Sequence, residues 1–208
     1  GGGGAWGDIT GTLADQTDLQ AALDLAIAGG SGGVSALSIA ALKAIDVSTL
    51  TNNQVVKVNG YYASGDGGGG FYLYSSGSSS TDDGGAVIQP TTGAGRYLRI
   101  FDDADRFSVS WWGAKGDYNG STGTDDSVAV AACVTYAKNN KKNGININWV
   151  YFPEGYYYTR VPAVNYIDVA FEGAGIGLTR LRHVNGFAEP LIYVTGPATS
   201  STGARIIA

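Results

Sequence analysis

Methionine is absent from all 208 residues, position 1 included, so the chain is expected to be a processed or partial view of a longer translation product. Cysteine occurs once, at Cys133, which rules out an internal disulfide. Stability must then come from packing or from partner chains, and a buried thiol is the expected state. Histidine also occurs once, at His183 between Arg180 and Arg182; with no cysteine partner set a zinc site is not expected, nor is any other metal or cofactor. Positive charge is scarce, with 13 Lys and Arg against 18 Asp and Glu and a net charge of −5. No Lys/Arg cluster stands beside an aromatic platform, so nucleic acid is not an expected partner. No apolar run approaches the ~18 residues of a membrane span, and no basic-then-apolar leader marks a signal peptide. Membrane insertion is not expected.

What is present is a β-rich balance. Hydrophobic residues make up 44% and charged residues only 15%, with 13 Tyr against 6 Phe and 4 Trp, which suits strands whose outer faces are polar without being charged. The 33 glycines cluster at 1–4, 29–33 and 67–70 and follow no G-x-y period, which excludes collagen. The first run resembles the end of a flexible tether.

Along the chain, Thr17-x-x-Gln20 offers a capping box ahead of the stripe Leu19, Ala22, Leu23, Ala26 and Ile27, ended by Gly29-Gly30. A helix of about three turns is not stable alone in water, so the stripe is expected to meet copies of itself in a trimer or another part of its own chain. Ser38–Ile45 predicts a second short helix. Val55–Val58, Phe71–Tyr74, Ala86–Gln89 and Arg96–Phe101 read as strands, with Ser75–Gly85 a polar loop with little to order it. The expected division is a glycine-rich leader with a short helix over 1–33, a small β-rich adaptor module over 34–105, and a last part over 106–208.

In that last part the residues predict a helix over 124–143. Thr124 is its expected N-cap, Asp125 and Asp126 lie in its first turn, and Lys138, Lys141 and Lys142 lie near its end before Gly144. Val128, Ala131, Ala132, Thr135 and Ala137 are slim enough to let it lie flat on a sheet. Short strands follow at 149–152, 156–160, 167–171, 179–183, 191–194 and 205–207. Phe152, Phe171 and Val194 recur at a spacing close to one solenoid turn, and the helix is placed to cover the open end of such a solenoid.

Ser110-Trp111-Trp112-Gly113-Ala114-Lys115-Gly116-Asp117, then Thr124-Asp125-Asp126, a helix, and Val150-Tyr151-Phe152-Pro153-Glu154-Gly155-Tyr156-Tyr157 resemble the opening of pectate-lyase-like right-handed β-helix proteins. The insertion 118–123 and Glu154 in place of a common proline depart from that pattern. Trp6-Gly7-Asp8-Ile9-Thr10-Gly11-Thr12-Leu13 is similar to a leader common in phage tail proteins. Gly60–Asp66 with Gly95–Arg99 is similar to the module that precedes many tailspike β-helices.

The resemblance implies a mainly β protein with short helices, in which an N-terminal helix and small β-module precede the first coils of a right-handed parallel β-helix with an N-terminal capping helix. It implies a homotrimer in the virion, made in the host cytoplasm. The leader would dock on other tail or baseplate proteins, and a distal part would bind bacterial surface polysaccharide. Trp6, Leu19, Leu23 and Ile27 are the candidate docking and trimer residues, and Tyr156 and Tyr158 the candidate glycan contacts, although aromatic strands also pack by default. Asp117, Asp125, Asp126, Glu154, Asp168, Glu172 and Glu189 invite a glycosidase reading, but Asp125 and Asp126 fit helix N-terminal charges and Asp117 a turn. No catalytic residue is therefore expected here. Two alternatives stay open: the N-terminal part of a hydrolase or lyase whose active site lies past residue 208, and a free bacterial relative, which leaves the leader unexplained.

Overall fold

The computed structural model of the chain describes residues 33–101, 106–140, 148–160, 164–165, 169–184 and 194–195. The chain divides into two compact units, Gly1–Val34 and Ser35–Ala208, and nearly all the described residues belong to the second. The expected helix behind the Thr17-x-x-Gln20 capping box lies outside the described residues, with Trp6, Leu19, Leu23 and Ile27.

The first region is a sheet built from β1 (Val34–Ala36), β2 (Val55–Val58), β3 (Gly70–Ser75), β4 (Val87–Ile88) and β5 (Arg96–Ile100), in the order β1-β2-β3-β5-β4, with β2-β3, β3-β5 and β5-β4 antiparallel. Alternation sets its faces. Val56 pairs with Tyr72 and Tyr72 with Arg99, and these join Val58, Tyr74, Tyr97 and Ile88 on the buried side. On the other side Val55, Phe71 and Ile100 are exposed, and the register lines up Val55, Leu73, Leu98 and Val87 in one row. Helix α1 (Ile39–Ala44) is capped by Ser38, whose Oγ accepts from Ala41 N at 3.2 Å, and it buries Ile39 and Leu42.

The loop from Ser75 to Gly85, expected to lack order, is held by carboxylates. Asp83 Oδ1 accepts from the backbone N–H groups of Gly85, Ala86 and Val87. Asp82 accepts from Gly84 N and Gln89 N and pairs with Lys43 Nζ at 2.8 Å. Turn aspartates can substitute for missing strand partners in this way. The composition showed a polar loop but not where these acceptors point.

The second region is parallel. Here β6 (Arg106–Ser108), β7 (Asn148–Phe152) and β10 (Val169–Gly173) form one sheet in the order β10-β7-β6; β8 (Gly155–Thr159) pairs with β11 (Thr179–His183), and β9 (Val164–Asn165) with β12 (Val194–Thr195). Strand β9 was not predicted, and residues 205–207 lie outside the described set. Phe171 sits opposite Val150, and Gly173 opposite Phe152. The coil step is therefore set by pairing Phe152 with Gly173, not with Phe171 as their shared aromatic character suggests. Inward positions Phe107, Val150, Phe152 and Val169 stack in one core, each full burial of such a side chain contributing about 1.5–3 kcal/mol.

Helix α2 (Ser127–Asn139) covers this core, but it starts later than expected and turns a different face inward. Thr124 is not its cap. Asp126 holds the N-cap position without a side-chain capping bond, because its carboxylate reaches back to Lys115 N (2.7 Å) and Gly116 N (3.1 Å). The buried stripe is Val130, Cys133, Val134 and Ala137, while Val128 is 83% exposed. Only Ala137 of the residues expected on that face is fully buried there. Cys133 is buried as expected, and its thiol faces Phe107 O at 3.6 Å. The Asn148 side chain donates to Ala137 O and Asn140 O, closing the helix C-terminus onto β7; residues 141–144, expected to finish the helix, lie outside the described residues.

The two regions meet at a close joint. Arg99 donates to Gly68 O, Gly69 O and the Tyr72 hydroxyl, and its guanidinium lies 4.5 Å from the Trp111 ring centroid. Ser110 Oγ donates to Gly67 O, and Tyr62 OH to Gly113 O, both at 2.9 Å. A Cβ on Gly85 would lie 2.6 Å from Trp112 ring atoms, so glycine is required where the module backbone approaches that ring. The glycines after Asp66 thus form a tight turn around a buried arginine.

Candidate functional site

The most chemically varied surface lies on the outer face of β8 and β11. Along β8 the alternation sends Tyr157 and Thr159 inward and leaves Tyr156 and Tyr158 half-buried on the outside. Burial pushes the Tyr157 phenol well up, and its hydroxyl donates to Pro153 O at 3.1 Å. Tyr157 is thereby a core residue, as are Trp112 and, beneath Arg99, the half-buried Trp111. Tyr156 and Tyr158, the expected glycan contacts, are the β8 rings that face outward.

A third ring, Tyr118 from the insertion 118–123, joins them. Tyr118 stacks on Tyr158, with centroids 5.0 Å apart at 13°, and meets Tyr156 edge-on at 4.9 Å and 86°. The backbone places it there. Tyr118 N donates to Tyr156 O and Tyr156 N to Gly116 O, so 116–118 forms a short parallel rung on the free edge of β8. Asp125 bridges Tyr158 in the same way, and Asp126 N donates to Tyr158 O.

The rungs align side chains in columns: Asp117, Tyr156 and Arg180 in one, Asp125, Tyr158 and Arg182 in the next. Arg180 and Arg182 are exposed and make no ion pair among the described residues. A groove of about 360 Å³ runs beside them, lined by Tyr118, Glu154, Tyr156, Leu178 and Arg180 among others.

On the adjoining β6-β7-β10 sheet the outer face carries the opposite order. Arg106 lies over the Tyr151 ring, 3.5 Å from its centroid, and pairs with Glu172 at 2.7 Å. Both partners stay about 40% exposed.

Asp117, Asp125 and Asp126 are occupied as structural acceptors. Burial pushes Asp117 up, but Thr124 N and Oγ1 outweigh it and hold its pKa below the usual carboxylate value. Asp125 Oδ1 accepts from Ser127 N. Asp126 is 1% exposed; burial pushes its pKa up against the two N–H groups it accepts, and the nearby Asp117 and Asp125 charges add to the rise. Asp168 and Glu189 lie outside the described residues. Among the described residues no group of His, Cys, Asp and Glu is placed to hold a metal ion, and no helix is long and apolar enough to cross a membrane. His183 ends β11, with Nδ1 2.6 Å from Val184 O.

Residues 35–102 match the family described as the phage tail protein small four-stranded beta-sheet domain. Among solved structures the chain is similar to the tailspike protein gp49 of Acinetobacter baumannii bacteriophage Fri1, a capsular polysaccharide depolymerase, at 26% identity and TM-score 0.58 over 68% of this chain and 23% of that one. It shares its fold with the enzymatically active domain of bacteriophage CBA120 tailspike protein 2, at 21% identity and TM-score 0.59 over 85% of this chain and 24% of that one. The glycan biofilm modifying enzyme WceF of Pantoea stewartii, with a tailspike-like parallel beta-helix fold, is similar at 21% identity and TM-score 0.51 over 80% of this chain and 22% of that one. The chain spans under a quarter of the lengths of these three. No curated protein sequence matches it.

Proposed function

We propose, on the premise that this chain is the N-terminal part of a phage tailspike, that it is the virion-side base of a spike that recognises host surface polysaccharide. The observation that carries this reading is the order of parts: a phage-tail β-sheet module runs directly into parallel coil rungs through the Arg99–Trp111 and Gly85–Trp112 joint. A module clamped so closely to the coils transmits orientation from the particle to whatever the coils carry.

In this reading 1–33 is the anchor, with Trp6, Leu19, Leu23 and Ile27 docking on other tail or baseplate proteins. Residues 34–105 are the adaptor, and 106–208 the first coils of a right-handed β-helix under α2. The protein works as a homotrimer in the phage tail and is made in the host cytoplasm. The partly exposed row Val55, Leu73, Leu98 and Val87, beside the exposed Phe71 and Ile100, supports association through this sheet face. Polysaccharide binding belongs to a distal part of the longer protein. The depolymerase activity of the Fri1 spike favours a catalytic spike here too, while Asp117, Asp125 and Asp126 of this chain are engaged as structural hydrogen-bond acceptors.

Sedimentation equilibrium of the chain tests the assembly: a mass of three chains is expected at tens of micromolar, and a monomer would oppose it. Incubation with host capsule tests the division of labour. Reducing ends released by a longer spike but not by this chain agree with it, and release by this chain overturns it.

A further inference from the structure

The two outer faces of the parallel coils carry opposite charge orders along the stacking direction. On the β6-β7-β10 face the first rung is basic at Arg106, the second aromatic at Tyr151 and the third acidic at Glu172. On the β8-β11 face the first rung is acidic at Asp117 and Asp125, the second aromatic at Tyr156 and Tyr158, and the third basic at Arg180 and Arg182. Both faces stack in the same chain order, so each rung of one face has a counterpart at its own level on the other.

We propose that the β6-β7-β10 face of one copy packs against the β8-β11 face of the next, side by side and parallel, level for level. Arg106 then meets Asp125, Tyr151 meets the Tyr156, Tyr158 and Tyr118 rings, and Glu172 meets Arg180 and Arg182. The occupant is a second copy of this chain because the match is between two faces of one molecule. It holds at every level only when the copies are related by rotation about an axis along the coils. An antiparallel neighbour sets Arg106 against Arg180 and Arg182, and Glu172 against Asp117 and Asp125.

Joining two different faces is a head-to-tail contact, which closes into a ring when the rotation divides the circle. Three copies satisfy it, so the proposal rests on the trimeric reading and states which surfaces make the trimer. Its chemistry fits a subunit contact: aromatic side chains at the centre of the patch, with Arg on its rim. The half-exposed Arg106–Glu172 pair, and Arg180 and Arg182 with no ion pair among the described residues, hold charges that gain partners across the contact. Charges of this kind select partner and orientation more than they add affinity. Tyr156 and Tyr158, whose outward rings suggested a sugar platform, thereby gain a protein partner.

Charge reversal with rescue tests the pairing in the intact chain. Three variants are compared with the parent by sedimentation equilibrium: Glu172→Arg; Arg180→Glu with Arg182→Glu; and all three changes together. All sites are exposed or half-exposed, and far-UV circular dichroism checks that each variant keeps its strands. Each partial variant is expected to weaken association at least tenfold, and the combined variant to regain most of the loss. A parent trimer whose mass is unchanged in both partial variants overturns the pairing while leaving the trimer standing. A combined variant no better than the partial ones also overturns it. A monomeric parent removes both the pairing and the trimeric reading on which it rests.

Discussion

In the antiparallel module the turns are held by side chains, whereas in the parallel coils the strands are held by stacking. Asp66 accepts from Tyr61 N, Tyr62 N, Ala63 N and Gly68 N, and Asp83 from three more N–H groups. Each turn is thereby closed by residues near it in sequence. The coil strands have their partners a full turn away, as Asn148 has Val169 and Gly155 has Thr179, and their order comes from the column beneath Val150 and Phe152. A local carboxylate can be replaced with local damage; a stacked core residue supports every rung around it.

That contrast orders the expected effects of substitution. Phe152→Ala removes a fully buried ring from the coil column and is expected to cost about 3–5 kcal/mol, read as a fall in the denaturant midpoint with the slope unchanged. Gly85→Ala, which drives a methyl into the Trp112 ring, is expected to cost about 1–3 kcal/mol. Its cost shows whether module and coils unfold as one, because a loosened joint splits a single transition into two. Asp83→Ala leaves three backbone N–H groups without their acceptor, for an expected loss of about 1–3 kcal/mol and faster hydrogen exchange at Gly85, Ala86 and Val87. If that exchange is unchanged, the turn is held by something other than this carboxylate. On α2, Val130→Ala is expected to cost about 1–2 kcal/mol and Val128→Ala within about 0.5 kcal/mol of nothing; equal effects would restore the face read from the sequence.

Acid separates the two regions more gently. In the module, burial pushes Asp66 and Asp82 up, but backbone N–H groups, with Lys43 for Asp82, outweigh it and hold both below the usual value. Their contribution is complete above the unfolded carboxylate pKa near ~4 and is lost as pH falls through their lower folded values. Asp126 under α2 runs the other way. Its folded pKa lies above the unfolded one, so the folded state holds that proton more tightly and the cost of its buried charge is relieved as pH falls. Hydrogen exchange between pH 5 and pH 3 is expected to rise sooner in 60–68 and 82–89 than at Lys115, Gly116 and Ser127–Val130. The reverse order would contradict these assignments.

Much of this was legible in the sequence because it is periodic. The alternation of Val55–Val58 and Arg96–Ile100, the Ser38 cap, the buried Cys133 and the coil strands β7, β8, β10 and β11 all follow from short-range patterns. What escaped depended on side chains reaching beyond their own element. Asp126 looks like a helix-end charge, yet it serves Lys115 and Gly116, which moves the helix start to Ser127. Phe152 and Phe171 look like one column position, yet the Gly173–Gly177 turn sets the register two residues on. In the outer-face site, Tyr156 and Tyr158 could be named from parity alone. Tyr118 could not, because the insertion 118–123 carries no period of its own.

Attachment to the particle tests the virion-side assignment most directly. Purified chain is added to phage particles assembled without their spike, and bound protein is measured after the particles are sedimented and washed. Stoichiometric attachment that blocks later addition of the full spike, without any loss of host capsule, is the expected result. Failure of the folded chain to attach, under conditions where the full spike does, would contradict its assignment as the virion-side base.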